Sequence, residues 1–243
     1  MDPREAAGAP ARELRLAVVV LVAASGAAEP LSFLALDHVF AGVMTSNLAL
    51  LGMAVGRSRS ADVTAAVLAL GGFGAGAGVA ALVTRGRRGS LDRWPARVLM
   101  CLAGEALLLA VGAVLWAAWD GAPGQTARHA LQCGLAAAMG AQAGAMVSAG
   151  RAAAPTTYLT GALATYIVHG LGSSSARPDG WIPLRLGALI AGAAAATGVL
   201  KAAPAWAGIL PCVLVVAAVL IACTPLLTSR PSRADPEAPR AAP

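Results

Sequence analysis

Apolar residues run along this chain in blocks too long for the core of a small globular domain, and polar residues collect in the gaps. Six blocks, roughly 14–36, 62–84, 96–119, 128–150, 184–202 and 205–228, each approach or exceed the ~20 residues that a helix needs to cross a hydrocarbon core. Two further stretches, 40–56 and 156–172, are apolar but shorter and richer in Thr, Ser, Gly and Asn. The first of these closes a 41-residue run, Leu16 to Gly56, without a Lys or Arg. As one helix rising ~1.5 Å per residue the run would measure about 60 Å, twice the thickness of the core. It therefore has to break, and Thr45, Ser46 and Asn47 mark its second half.

Composition agrees with the pattern. Of 243 residues, 58% are hydrophobic and 12% charged, against about 25% charged in soluble domains. A net charge of +6 raises the question of a nucleic-acid partner. The basic residues instead form short clusters between apolar blocks, with no aromatic platform beside them, and nucleic acid is set aside.

Their placement informs topology, because cytoplasmic loops carry the excess of Lys and Arg. Six spans with a cytoplasmic N-terminus put 14 of the 18 basic residues inside and leave Arg57, Arg59, Arg128 and Lys201 outside. If both short stretches also crossed, the division would fall to 11 and 7, with "RGRRGSLDRWPAR" on the wrong side. The chain therefore reads as a multi-pass protein of six spans with both termini cytoplasmic, and a cell membrane, plasma or inner, is its expected place. A signal peptide is disfavoured, since the apolar run beginning at Leu16 continues well past the small residues that would form a cleavage site. The ends, 1–11 and 229–243, are polar and Pro/Ala-rich and are expected to be disordered around a single transmembrane domain, 12–228.

The two short stretches align at one offset. Met44-Thr45-Ser46 falls on Leu159-Thr160-Gly161, 115 residues later, and the flanking blocks follow with the last a few residues out of register. Each half, about 12–120 and 127–228, is a span, a short polar-apolar stretch and two spans. Three is odd, so the second copy enters the membrane from the opposite side, giving inverted repeats like those of many secondary transporters. Non-helical backbone at membrane depth needs protein or a water-filled cavity around it. Both short stretches are thus expected to be broken or re-entrant elements meeting at the repeat interface.

These motifs, "GAAEPLSFLALDHVFAGVMTSNLALLG" and "MGAQAGAMVSAGRAAAPTTYLTGAL", resemble the YoaK family of bacterial integral membrane proteins of unknown function. The resemblance runs from about residue 14 to 228 and implies some six spans without implying a substrate. Three positions depart from its pattern: Glu29 stands for Asp, Ser46 for Gly, and Ala143 for the Asn after Gln142.

Charged groups at bilayer depth cost about 2.5–3.5 kcal/mol on insertion scales. Glu29, beside the helix-breaking Pro30, is a candidate for a proton or cation, with a structural hydrogen bond between helices as the competing role. Glu105, in "CLAGEALLLA", has no Lys or Arg within a span to pair with and is the other proton or cation candidate. Asp37 and His38 read as solvated residues at the outer interface. Gln142 is read as a hydrogen-bonding residue across the repeat interface. "GGFGAGAG" lies inside a span and reads as helix packing through Gly72 with Gly76 and Gly74 with Gly78, rather than as a dinucleotide loop. Cys101, Cys133, Cys212 and Cys223 lie in apolar blocks without metal-ligand spacing, so neither metal nor cofactor is expected. No nucleophile–base pair or nucleotide motif is visible, and an enzyme is not expected.

The expected protein is all-helical and binds or transports a small solute, with a proton or cation, at the interface of two repeats within the lipid bilayer. Glu29, Thr45, Ser46, Asn47, Gln142, Thr156, Thr157, Thr160 and Gly161 are its candidate site. The alternative is a membrane scaffold or regulator that uses the same motifs for packing.

Overall fold

The computed structural model describes residues 3–85, 94–150, 156, 159–172 and 180–228. The described residues are helical, with no strand: α1 Pro3–Pro30, α2 Met44–Gly56, α3 Ser60–Thr84, α4 Ala96–Ala118, α5 Gln125–Ala149, α6 Thr160–Gly172, α7 Trp181–Ala202 and α8 Ile209–Thr228. Residues 3–11, expected to be disordered, are the first turns of α1. The C-terminal tail lies outside the described residues.

Six helices are long and apolar enough to cross a membrane, covering Arg12–Ala35, Ser60–Thr84, Ala96–Ala118, Gln125–Ala149, Trp181–Ala202 and Pro204–Thr224. They match the six blocks read from the sequence. The short apolar helices α2 and α6 have 13 residues each, about 20 Å of rise and too little to span.

Two of the spans are central. The apolar window of α1 is 67% buried and that of α5 44%, against 17–28% for the other four. α1 packs on α7 and α8, and α5 packs on α3 and α4, while α4 also meets α8. Leu21 on α1, Leu102 on α4, Met139 on α5 and Val215 on α8 share the main apolar core. The outward faces keep large apolar side chains, among them Leu107, Val114, Ile190 and Leu220. That is the surface expected where lipid replaces water as the solvent.

The closest helix crossings depend on glycine. A Cβ on Gly72 or Gly76 of α3 would run into the backbone of Cys133 or Ala137, and one on Gly140 of α5 into Phe73. The α1–α7 crossing is built alike, with Gly26 against Leu189 and Gly192 against Ala23. Small residues let backbones approach and gain dispersion contact, the main attraction available between helices in lipid. Gly74 and Gly78, expected as a second packing pair, have open space where a Cβ would stand. The stripe in α3 thus packs along one side only.

Candidate functional site

Pro30 ends the regular part of α1. It lacks an N–H and crowds the preceding turn, and Leu31–Ala35 continue as a π-helical turn closed by Leu36 N–H donating to Leu31 O. The chain then leaves helical geometry until Met44. Exposed peptide groups beside an apolar helix are costly unless paired, and here side chains from three helices pair them.

From α1, Glu29 accepts two hydrogen bonds, Oε2 from Ala41 N–H and Oε1 from Gly42 N–H, both at 2.9 Å. From α2, Asn47 accepts from Phe40 N–H at 2.9 Å and donates back to Phe40 O at 2.7 Å. Ser32 Oγ donates to Val39 O at 2.6 Å and accepts from Gln132 Nε2 of α5 at 2.8 Å. Arg128, also on α5, donates to Leu36 O at 2.7 Å and to Asp37 Oδ1 at 3.1 Å. Leu36, Val39, Phe40, Ala41 and Gly42 thus each have a backbone group held by a side chain. Glu29 holds the loop just ahead of α2 and does not cap it: its donors precede Val43, the residue at the N-terminal boundary, which itself makes no side-chain capping bond.

Asp37 corrects the reading of a solvated interfacial residue. Its side chain is only 5% exposed and is paired with Arg128, with His129 Nε2 at 3.8 Å from Oδ2. His38 is exposed, as expected.

A second clamp stands before α6. Gln142 Nε2 donates to Thr156 Oγ1 at 2.7 Å and to Leu21 O at 3.3 Å. Gln142 and Thr156 are both buried, and Gln142 Oε1 has no hydrogen-bond partner. The bonds Ser32–Gln132 and Leu21–Gln142 also fix the sense of the central pair. As α1 advances, α5 recedes, so the two helices are antiparallel.

The sequence candidates thus separate into three groups. Glu29 and Asn47 meet on the loop before α2, and Gln142 meets Thr156 before α6. Thr45 and Thr160 stand exposed in the first turns of α2 and α6, with Ser46 half-buried and Gly161 exposed beside them. Glu105 lies apart on α4, 1% exposed, with neither carboxyl oxygen hydrogen-bonded. Thr157 lies outside the described residues.

Ser32, Arg128 and Gln132 were missed by sequence reasoning. The available signal was a polar residue inside an apolar block, at Ser32 and Gln132. Among the described residues, no group of three or more His, Cys, Asp and Glu side chains is arranged to hold a metal ion. A cavity of about 140 Å³ opens between α4, α5 and α8, lined by Leu108, Trp116, Trp119, Leu131, Leu135 and Pro211 among others. None of the candidate site residues lines it.

Six apolar spans, a central antiparallel pair and a short helix clamped by side chains define a multi-pass helical membrane protein. The family described as Protein of unknown function (DUF1275) matches residues 17–222, and the chain belongs to that family. It is similar to UPF0700 transmembrane protein YoaK of Bacillus subtilis (strain 168), 35% identical over 148 residues. The match covers 61% of this chain and 63% of the relative's length. The resemblance read from the two motifs is therefore correct. No solved structure matches the chain.

Proposed function

We propose that the protein binds or moves a small solute at the interface of two inverted repeats, and that α2 and α6 are the elements that open to admit it. The observation that carries this reading is a clamp present twice in equivalent places. Glu29, late in α1, holds Ala41 and Gly42 before one 13-residue helix, and Gln142, late in α5, holds Thr156 before the other. The order long, short, long, long runs twice along the chain. The packing of α1 on α7 and α8 answers that of α5 on α3 and α4, and the antiparallel sense of α1 and α5 suits halves that enter from opposite sides.

In this reading both termini are cytoplasmic and the membrane is the plasma membrane. Thr45, Ser46, Thr160 and Gly161 face the solute when the short helices open, and Glu29 exchanges its backbone partners for a proton or cation. Discontinuous helices at matching places in two halves are the usual pointer to a transport site.

A non-transporting scaffold is the second reading. It is favoured by the satisfaction of the first clamp, since both Glu29 oxygens and both Asn47 amide atoms are engaged within the protein.

Ser46→Cys in a protein without its native cysteines separates the two. Ser46 is half-buried next to the clamp. Reaction with a membrane-impermeant thiol reagent, in a well-inserted protein, is expected for a solute path. No reaction from either side would overturn that path and leave the scaffold.

A further inference from the structure

Glu105 takes no part in either clamp. It sits halfway along α4, 1% exposed, and neither oxygen has a hydrogen-bond partner. One turn to either side on α4 are Cys101 and Leu102, then Leu108 and Leu109. Leu102 and Leu109 belong to the apolar core that α4 shares with α1, α5 and α8. A carboxylate stripped of water without a counter-charge is among the costliest groups to bury.

The helices around it offer no counter-charge. On α4 the other titratable side chains are Arg97, at the cytoplasmic end of the proposed topology, and Cys101. On α8, Cys212 faces this level, its Sγ donating to Ala106 O at 3.5 Å, and Cys223 lies three turns further on. On α5, Arg128 and His129 are engaged with Asp37 near its start, followed by Cys133. On α3 the described titratable group is Asp62, in the first turn. On α1, from residue 12 onward, they are Arg12, Glu13 and Arg15 at one end and Glu29, bound to the loop, at the other. No Lys or Arg lies in the middle of any of these helices.

A metal ion is a poor occupant, because hard cations take six or more oxygen ligands and the neighbouring positions on α4 are apolar or thiol. A proton needs one oxygen. The apolar cavity between α4, α5 and α8 ends one turn away, its lining including Leu108, Leu109 and Pro211, the residue before Cys212.

We propose that Glu105 is a proton-binding site, holding an exchangeable proton at the centre of the helix bundle. The assignment does not rest on solute transport; it stands if the protein is a scaffold. If the protein is a transporter, the coupling ion at this position is H⁺.

Two measurements on the full chain in liposomes test it. Dicyclohexylcarbodiimide is apolar and reacts with a protonated carboxyl: the proton passes to a carbodiimide nitrogen, the carboxyl oxygen adds to the central carbon, and the adduct rearranges to a stable acylurea. Mass mapping of the wild-type protein is expected to find that adduct on Glu105. In infrared difference spectra, a neutral carboxyl C=O band is expected to shift in D₂O and to be lost in Glu105→Gln. The wild-type labelling and the D₂O shift need no variant to fold. Absence of the adduct on Glu105, or a carboxyl band that D₂O leaves unshifted, overturns the proposal.

Discussion

The clamp before α2 and the clamp before α6 each precede a 13-residue helix, and among the described residues they differ in the bonds they make. The first engages a carboxylate, an amide, a hydroxyl and a guanidinium on five residues between Leu36 and Gly42. The second, among the described residues, is one amide on one hydroxyl, with an oxygen of Gln142 left over. It is also where Ala143 takes the place of the Asn expected from the family pattern. Among the described residues, the bonds on the loop before α2 include charge-assisted ones, whereas the bond from Gln142 to Thr156 before α6 is neutral and of ordinary strength.

The largest expected effect is at Glu29. Glu29→Ala leaves Ala41 and Gly42 N–H without acceptors and is expected to destabilise the protein by about 3 kcal/mol, read as a fall in the melting temperature in detergent. A loss equal to that of the corresponding change in the second half would erase the contrast.

The glycine crossings come next, and they sharpen the comparison because here the halves are alike. Gly76→Ala and Gly192→Ala each drive a Cβ into a backbone carbonyl of the facing helix, at a cost of about 2 kcal/mol apiece. Gly78→Ala, which meets open space, is the control and is expected to change stability by less than about 0.5 kcal/mol.

Gln142→Leu removes the bond to Thr156 and is expected to cost about 1 kcal/mol. The same variant should raise backbone hydrogen exchange at the start of α6 while leaving α2 unchanged. Smallest of all, Thr45→Val and Thr160→Val preserve shape at exposed positions. They are expected to change stability by under about 0.5 kcal/mol. A larger loss at either would show that the threonine belongs to the clamp rather than to a surface available for binding.

The six spans and the broken stretch after Pro30 were legible because both follow from local rules: the length of an apolar run and the effect of proline on a helix. Glu29 was legible as a group needing a reason. Its partner was not, since Ala41 and Gly42 contribute only backbone N–H groups, which leave no mark in composition. Ser32 and Gln132 are 100 residues apart, and nothing local couples them. Asp37 was misread for a related reason: a charged residue after a span is ordinarily solvated, and Arg128 comes beside it only once α5 lies against α1. The glycine stripe gave the packing mode but not its direction, because Gly72 and Gly74 differ only in which way they face.

The most direct measurement of the inverted arrangement is sidedness at the two short helices. Thr45→Cys and Thr160→Cys, each in a cysteine-free background and in sealed vesicles of known orientation, are treated with an impermeant thiol reagent from one side at a time. Inverted repeats place the two positions on opposite faces, so Thr45→Cys is expected to react from the outside and Thr160→Cys from the cytoplasmic side. Reaction of both from the same side would contradict the inversion and, with it, the equivalence of the two clamps.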